Sequence, residues 1–207
     1  MAKRTEPAGD LFTVTRGLCI LWIVLALDIV CTLLLPRPPE LGSASPWAGG
    51  WLSVHCGLRP RDPWGLIGIP CAPFLHAGMG HLSANSLALF VTGWLALKSG
   101  KNAATTAAVL AALVGGVLTW IIGNPQSIHV GASGIVFGFI ALLIGNAVFR
   151  RGCLPLLIAI PVVVLYGAAL GDMLPWRAAE RMSWEMHLGG FIGGLCASFA
   201  LRDRPPA

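Results

Sequence analysis

A serine between glycines stands at the point where a long apolar stretch begins. Ser133 lies in the segment Gly131–Gly134, which reads GASG, and apolar residues continue from there to Phe149. A serine hydroxyl becomes an effective nucleophile when a neighbouring base takes its proton. His187, at the start of the last apolar stretch, is the base that the chain offers. If these two side chains meet, they have the chemistry to attack a carbonyl group.

The composition indicates that the apolar stretches lie in a membrane. Of the 207 residues, 56% are hydrophobic and 11% are charged, and the mean hydropathy is +0.75. A soluble domain has roughly 25% charged residues, so lipid is the expected solvent. The net charge of +5 is therefore interpreted as a sign of membrane topology.

Six segments are long enough to cross a bilayer, whose hydrocarbon core needs about 17–25 apolar residues in a helix. They are Gly17–Leu35, His81–Leu97, Ala103–Gly123, Gly131–Phe149, Cys153–Leu174 and Trp184–Leu201. We therefore predict an all-α polytopic membrane protein whose single domain is a six-helix bundle over residues 17–201. Residues 1–16 would precede the bundle, residues 36–80 would form a long outer loop, and residues 202–207 would form a tail.

Lysine and arginine residues predict how the bundle is oriented. With the N-terminus in the cytoplasm, nine of them fall inside: Lys3, Arg4, Arg16, Lys98, Lys101, Arg150, Arg151, Arg202 and Arg204. Five fall outside: Arg37, Arg59, Arg61, Arg177 and Arg181. Because cytoplasmic loops carry an excess of basic residues, this distribution favours both termini in the cytoplasm. The second, fourth and sixth spans then start at the outer face.

This topology places four polar side chains at a similar depth. His81 and Asn85 lie at the start of the second span, Ser133 at the start of the fourth, and His187 at the start of the sixth. Polar side chains within a membrane are costly and usually mark a functional site. The sequence therefore predicts a site at the outer ends of these three helices.

Glycines suggest how the fourth and sixth spans meet. Gly134 and Gly138 are four residues apart in the fourth span, and Gly190 and Gly194 lie on the same face of the sixth span as His187. Small residues spaced in this way let two helices approach closely. Two more glycines, Gly189 and Gly193, are expected to widen the smooth face of the sixth span. Packing of the two faces would bring the serine and the histidine within hydrogen-bonding distance.

Each polar residue has a predicted role in this chemistry. His187 would take the proton from Ser133 and later give it to the leaving amine. The backbone N–H of Ser133 and the side chains of His81 and Asn85 are candidate donors to the oxyanion. Phe137, one turn after the serine, is expected to pack against the imidazole. Two carboxylates lie nearby in sequence, Glu185 and Asp172, but neither is tied to the histidine by its spacing, so we predict a pair rather than a triad.

In these motifs the chain resembles the rhomboid family of intramembrane serine proteases. The motifs are the GASG segment, His187 followed by Gly190 and Gly194, His81 followed by Asn85, and His76 upstream. They fall on the second, fourth and sixth spans, in the order of the family. The resemblance implies that Ser133 is the nucleophile, His187 the base, His81 and Asn85 oxyanion-site residues, and His76 a structural residue. The glycines Gly131 and Gly134 would support them.

The resemblance also implies what the protein acts on and where. We expect cleavage of transmembrane protein substrates within the lipid bilayer, near their outer ends, with the site toward the extracytoplasmic side and no cofactor. The small size of the chain and the lack of an evident targeting segment lead us to expect a bacterial plasma membrane. The chain departs from the family at two places. Phe137 stands where many members have a tyrosine, and the Trp-Arg pair common in the first outer loop is not evident, Trp64 with Gly65 being the nearest candidate.

Two other functions remain open at this point. One is a catalytically inactive rhomboid-like protein that binds membrane clients, and the other is a small transporter, in which glycine-broken helices and buried polar groups also occur. No Cys-x-x-Cys or His-Glu-x-x-His motif is present, so no metal is expected. The chain also has no basic stretch interleaved with aromatic residues, so a nucleic acid is not an expected partner. Cys56 and Cys71 share the outer loop and could form a disulfide. Asp28 lies inside the first span with no evident partner, and His129 is expected to be an interfacial loop residue.

Overall fold

The computed structural model describes residues 7–36, 50–150, 152–177 and 182–203, and these residues are predominantly helical. They form eight α-helices: α1 Pro7–Leu34, α2 Trp51–Cys56, α3 Gly68–Cys71, α4 Met79–Lys98, α5 Lys101–Ile122, α6 Ser133–Phe149, α7 Cys153–Tyr166 and α8 Trp184–Ala200. Three 3₁₀ segments join them: Pro63–Ile67, Ala72–Phe74 and Ala169–Met173. Several residues used to predict the orientation lie outside the described residues: Lys3, Arg4, Arg37, Arg151, Arg181 and Arg204.

The six long helices correspond to the six predicted segments, with two clear differences. The first begins at Pro7 rather than Gly17, so part of the predicted N-terminal segment is helical. The α-helix of the fifth segment ends at Tyr166 rather than Leu174, and a 3₁₀ segment follows it. Glycine at positions 167 and 171 disfavours continuation of the α-helix there, because glycine is costly in a helix interior.

Two of the described helices are long and apolar enough to cross a membrane by length and composition alone. They are Gly9–Leu34, with a mean hydropathy of 2.6, and Lys101–Ile122, with a mean hydropathy of 2.0. The helices Ser133–Phe149 and Cys153–Tyr166 are apolar but shorter. Together these features indicate a helical membrane protein, while the number of spans remains a prediction.

Glycine contacts between α6 and α8 form the centre of the bundle. A Cβ atom at Gly190 would lie 2.9 Å from the carbonyl carbon of Gly134 and 3.0 Å from its Cα. At Gly194 it would lie 2.7 Å and 2.8 Å from the same atoms of Gly138. These distances are shorter than carbon atoms tolerate, so the two backbones touch at both points. The predicted packing of the two glycine faces is confirmed.

The other two glycines of α8, Gly189 and Gly193, pack against a different helix. A Cβ atom at Gly189 would lie 2.6 Å from the Cα of Gly115, and one at Gly193 would lie 2.6 Å from the carbonyl carbon of Leu110. Both of these neighbours belong to α5. Gly189 and Gly193 thus extend the smooth surface of α8, and the added part forms a second close face against α5. With two such faces, α8 is held between α5 and α6.

The buried carboxylate of Asp28 holds α2 onto α1. It accepts hydrogen bonds from the backbone N–H of Leu52 at 2.6 Å and from the hydroxyl of Ser53 at 2.8 Å. Thr32, one turn later in α1, accepts a hydrogen bond from the N–H of Trp51 at 2.7 Å. The first N–H groups of a helix have no partner within it, so both residues cap α2. This explains the acid inside the first predicted span.

Polar contacts also join helices at the opposite end of the bundle. Lys98 at the end of α4 forms an ion pair with Asp10 in α1, at 2.6 Å. The side-chain amide of Asn146 in α6 donates to Ser99 at 2.9 Å and accepts from Ser198 in α8 at 2.9 Å. Such ties are worth about 1 kcal/mol each in membrane bundles, so they supplement the glycine packing.

Candidate active site

Ser133 lies at the first turn of α6, where the chain leaves an extended segment. Gly131 has φ +121°, and its N–H donates to the carbonyl oxygen of Ala72 at 2.8 Å. A Cβ at position 131 would also lie 2.6 Å from the ring of His81, so only glycine fits here. The helix therefore begins two residues later than the apolar stretch, and Ser133 is its first residue.

The hydroxyl of Ser133 faces the imidazole of His187. Ser133 Oγ lies 2.9 Å from His187 Nε2, within hydrogen-bonding distance. His187 is 4% exposed and lies in the first turn of α8. The contact follows from the packing of Gly190 on Gly134, because each glycine is within a few residues of one of the two side chains. This is the geometry that a serine–base pair requires.

Two further contacts fix the plane and the tautomer of His187. The ring of Phe137 stacks on it, with centroids 4.3 Å apart and planes 12° from parallel. His187 Nδ1 lies 3.4 Å from the backbone carbonyl oxygen of Asp172. A carbonyl oxygen only accepts hydrogen bonds, so Nδ1 carries the proton and Nε2 presents its lone pair to Ser133.

Neither nearby carboxylate contacts the imidazole among the described residues. Asp172 reaches His187 through its main chain rather than its side chain. The buried carboxylate of Glu185 accepts a hydrogen bond from the hydroxyl of Ser183 at 3.2 Å. The site therefore contains a serine and a histidine without an orienting acid, in keeping with the spacing of these residues in the sequence.

His81 and Asn85 lie beside the backbone that precedes Ser133. A Cβ at Gly131 would lie 2.8 Å from His81 Nε2 and 3.6 Å from Asn85 Nδ2. The N–H of Ala77 donates to His81 Nδ1 at 3.4 Å, so the proton of the neutral ring is on Nε2 and points toward the site. The amide of Asn85 donates one hydrogen to the carbonyl of His81 at 3.1 Å and has a second one free to give.

His76 lies behind His81, away from the serine. It is 1% exposed, and its ring meets that of His81 edge-on, with centroids 5.2 Å apart. Burial, with a smaller contribution from His81, lowers the pKa of His76 to about 4. A neutral, buried ring packed against His81 is what a supporting residue would provide. It has no contact with Ser133 or His187 among the described residues.

One residue of this region was not singled out from the sequence as part of a site. His129, expected to be an interfacial loop residue, is half-buried and lies within hydrogen-bonding distance of two serines, Ser127 and Ser183. Ser183 directly precedes α8, and a serine before a helix is a recognisable N-cap signal. No pattern in the sequence links Ser183 with His129, which lies far away along the chain.

Comparison with known proteins identifies the family. The family model of the rhomboid domain matches residues 60–204, which is more than half of the chain. The chain belongs to the rhomboid family. Membership of this family, together with the apolar helices, makes it an integral membrane protein of rhomboid type.

Named relatives of this rhomboid protein come from bacteria and plants. An uncharacterized protein of Mycobacterium tuberculosis is 36% identical over 160 residues, which are 74% of this chain and 66% of that protein. Rhomboid protease GluP of Bacillus subtilis is 30% identical over 127 residues, 61% of this chain and 24% of GluP. RHOMBOID-like protein 2 of Arabidopsis thaliana is 32% identical over 137 residues, 64% and 41% of the two chains. The chain thus spans just under two thirds of the length of its mycobacterial relative.

Proposed function

We propose that this rhomboid protein is an intramembrane serine endopeptidase in which Ser133 is the nucleophile and His187 the base. The observation that carries the proposal is the 2.9 Å contact between Ser133 Oγ and His187 Nε2. A half-buried serine–histidine contact with a defined tautomer has a clear chemical use and is not needed for packing, which the neighbouring glycines already provide. The relative named rhomboid protease GluP supports the same reaction class.

In the proposed reaction, the peptide bond is cleaved in two steps. Ser133 Oγ attacks the carbonyl carbon as His187 Nε2 takes its proton, which gives a tetrahedral intermediate. His187 then gives that proton to the leaving amine, and an acyl-enzyme remains on Ser133. A water molecule then gives a proton to the same nitrogen and attacks the acyl group, and His187 passes that proton to Ser133 Oγ as the second product leaves. The carbonyl of Asp172 stabilises the imidazolium that forms in each step.

The oxyanion has three candidate donors. They are the backbone N–H of Ser133, which lies at a helix N-terminus, the Nε2–H of His81 and the free amide hydrogen of Asn85. The side chains of His81 and Asn85 both lie beside Gly131. Both would therefore be on the same side of a substrate carbonyl group that approaches Ser133. Donors fixed in place before the reaction stabilise the developing charge without reorganisation.

The proposed membrane arrangement has six spans, both termini in the cytoplasm and the site toward the extracytoplasmic side. It is supported by the distribution of basic residues and by the position of His81, Ser133 and His187 at corresponding ends of α4, α6 and α8. The substrates would be transmembrane proteins. Because a membrane helix hides its carbonyls in backbone hydrogen bonds, cleavage would favour segments with residues that unwind a helix. No cofactor or metal takes part in this scheme.

A fluorophosphonate probe tests the proposal directly. Ser133 Oγ would attack the phosphorus, fluoride would leave, and the hydroxyl proton would pass to His187. The purified protein in detergent should be labelled, and the variants Ser133→Ala and His187→Ala should not be. Ser99→Ala, which removes a hydroxyl at the other end of the bundle, is the matched control and should label like the wild type.

The outcome separates the protease from the other two functional classes. Labelling of the wild type that depends on both residues supports the protease. A folded but unlabelled wild type would contradict the proposal and favour a client-binding protein or a transporter. Reconstitution with a transmembrane substrate in liposomes then asks whether the labelled residue also cleaves a peptide bond within the bilayer.

A further inference from the structure

A chain of hydrogen bonds runs beside the proposed site without touching Ser133. His129 Nε2 lies 2.6 Å from Ser127 Oγ, and His129 Nδ1 lies 2.8 Å from Ser183 Oγ. The Ser183 hydroxyl donates in turn to Glu185 Oε2 at 3.2 Å. With the Ser183 proton directed at the carboxylate, Nδ1 of His129 is the donor to Ser183. In the neutral ring Nε2 then accepts from the Ser127 hydroxyl, which also lies 2.6 Å from the carbonyl oxygen of Asn124 and can turn between these two acceptors. The order of donation is thus from His129 to Ser183 to Glu185.

Ser183 occupies the N-cap position of α8 but does not cap the helix. A serine there usually accepts a hydrogen bond from the N–H two or three residues later. The hydroxyl of Ser183 makes no such bond and is turned instead toward His129 and Glu185. The gain from capping, typically about 1 kcal/mol, is given up for the longer-range contact. Loss of the N-cap hydrogen bond in favour of these contacts is expected where the position of the start of α8 matters more than the local stability of the helix.

The start of α8 carries His187. The backbone N–H of His187 donates to the carbonyl oxygen of Ser183 at 3.1 Å, so Ser183 lies one helical turn before the proposed base. A shift of Ser183 is therefore transmitted through a single turn to the imidazole. Residues 178–181, shortly before Ser183, are not among the described ones, and the hydroxyl contact with His129 is a polar tie at this end of α8.

The main chain of His129 is itself fixed from the other side. His129 and Leu58 exchange two backbone hydrogen bonds, at 2.8 Å and 3.0 Å, in an isolated antiparallel bridge. His129 lies four residues before Ser133, and Gly131 between them is hydrogen-bonded to Ala72. The segment leading into Ser133 and the first turn of α8 are thus both attached to one histidine. The position of His129 therefore affects where the starts of α6 and α8 lie relative to each other.

Charge supports the same contact. The carboxylate of Glu185 is 6% exposed, and Ser183 is its hydrogen-bond donor among the described residues. A buried carboxylate is costly unless it is hydrogen-bonded or compensated by charge. Burial lowers the pKa of His129, and the charge of Glu185 acts against this shift. The histidine and the acid therefore interact through the serine that lies between them.

We propose that His129 is a positioning residue, which holds the first turn of α8 through Ser183 and so keeps His187 aligned with Ser133. The inference rests on the proposed function, since it concerns the alignment of the proposed base. His129 does not touch the reacting atoms. Its effect reaches the reaction only through Ser183 and the turn that follows it.

The rate constant of fluorophosphonate labelling tests this role, with the extent of labelling at completion as a separate readout. Ser183→Ala and His129→Ala should each slow labelling by about tenfold, the scale expected for one lost hydrogen bond felt in the transition state. The final extent should stay that of the wild type. Ser183→Thr keeps a hydroxyl and should restore most of the rate. Ser99→Ala, a serine to alanine change in an interhelical contact far from the site, should have no effect.

The double variant decides whether the two residues act through one contact. If they do, His129→Ala with Ser183→Ala should be no slower than the slower single variant, because the contact is lost only once. Multiplied effects, unchanged rates, or a loss of final extent alone would overturn the inference. The last result would show that the residues serve folding only. Failure of the wild type to label would instead refute the protease proposal, so the two failures are distinguishable.

Discussion

The contact between Gly190 and Gly134 makes a sharp test of how the bundle aligns Ser133 with His187. We predict that Gly190→Ala slows the reaction by about a hundredfold. The new Cβ would lie 2.9 Å from the carbonyl carbon of Gly134 and 3.0 Å from its Cα. Two non-bonded carbon atoms have their optimal separation at about 3.5–4.0 Å. The backbone of Gly134 cannot rotate away from the new Cβ as a side chain could. The first turns of α6 and α8 must then separate by about 1 Å.

This separation is enough to break the proposed catalytic contact. A shift of about 1 Å would lengthen the 2.9 Å distance between Ser133 Oγ and His187 Nε2 beyond the range of a hydrogen bond. Misplacement on this scale typically costs about 10²-fold in rate. Overpacking would also lower the free energy of unfolding by about 1–3 kcal/mol. The variant should therefore remain foldable in detergent while its labelling rate constant falls.

The assay compares labelling rate constants and thermal unfolding for the wild type and two variants. Gly17→Ala is the matched control, because a Cβ at Gly17 in α1 would meet no atom within 4 Å. It should label at the wild-type rate and gain about 0.5–1 kcal/mol from the better helix propensity of alanine. If Gly190→Ala unfolds cooperatively and still labels at the wild-type rate, the glycine contact does not align the two residues.

Two further predictions concern stability away from the serine. Asp28→Ala should lower the thermal midpoint, because the N–H of Leu52 and the hydroxyl of Ser53 lose their acceptor, at a cost of about 1–3 kcal/mol; an unchanged midpoint would show that the cap is not needed. The pKa of His76 is lowered to about 4 in the folded protein, whereas a histidine in the unfolded chain has a pKa near 6.5. Below about pH 6.5 the unfolded chain therefore binds more protons than the folded protein. Stability should therefore decrease from about pH 6.5 toward pH 4, by at most ~3 kcal/mol, and His76→Phe should weaken that dependence in a pH series of thermal scans.

The central contact of the site could be predicted from sequence because its parts are local. The GASG segment and the histidine of the last apolar stretch each stand at a helix start, and glycines at spacings of four mark the faces that meet. Helix periodicity and the need for small residues at close crossings are enough to bring Ser133 and His187 together. The stacking of Phe137 on the imidazole follows from the same periodicity, since it lies one turn from the serine.

The contacts that escaped prediction join residues distant in the chain through loops. Asp28 meets α2 across a gap of more than twenty residues, and no periodic pattern links them. The same is true of His129, which contacts Ser183 and is bridged to Leu58, both far away along the chain. The packing of Gly189 and Gly193 against α5 was not predicted, because a glycine pattern shows which face is smooth but not which helix covers it. Such choices depend on how the whole bundle is arranged.

Unequal packing of the helices around His187 bears on how a substrate could enter. α8 is held against both α5 and α6 by glycine contacts, whereas among the described residues of α7 only Ala159 and Val162 are fully buried. The helix that is easiest to displace is therefore α7, because few of its side chains lose contacts when it moves. Yet the 3₁₀ segment that follows α7 carries the carbonyl of Asp172, which fixes the tautomer of His187. Displacement of α7 that pulled on this segment would loosen the base just as the site opened. We therefore expect the helix to swing while Ala169–Met173 stays on α8, with Gly167, directly after α7, at the joint.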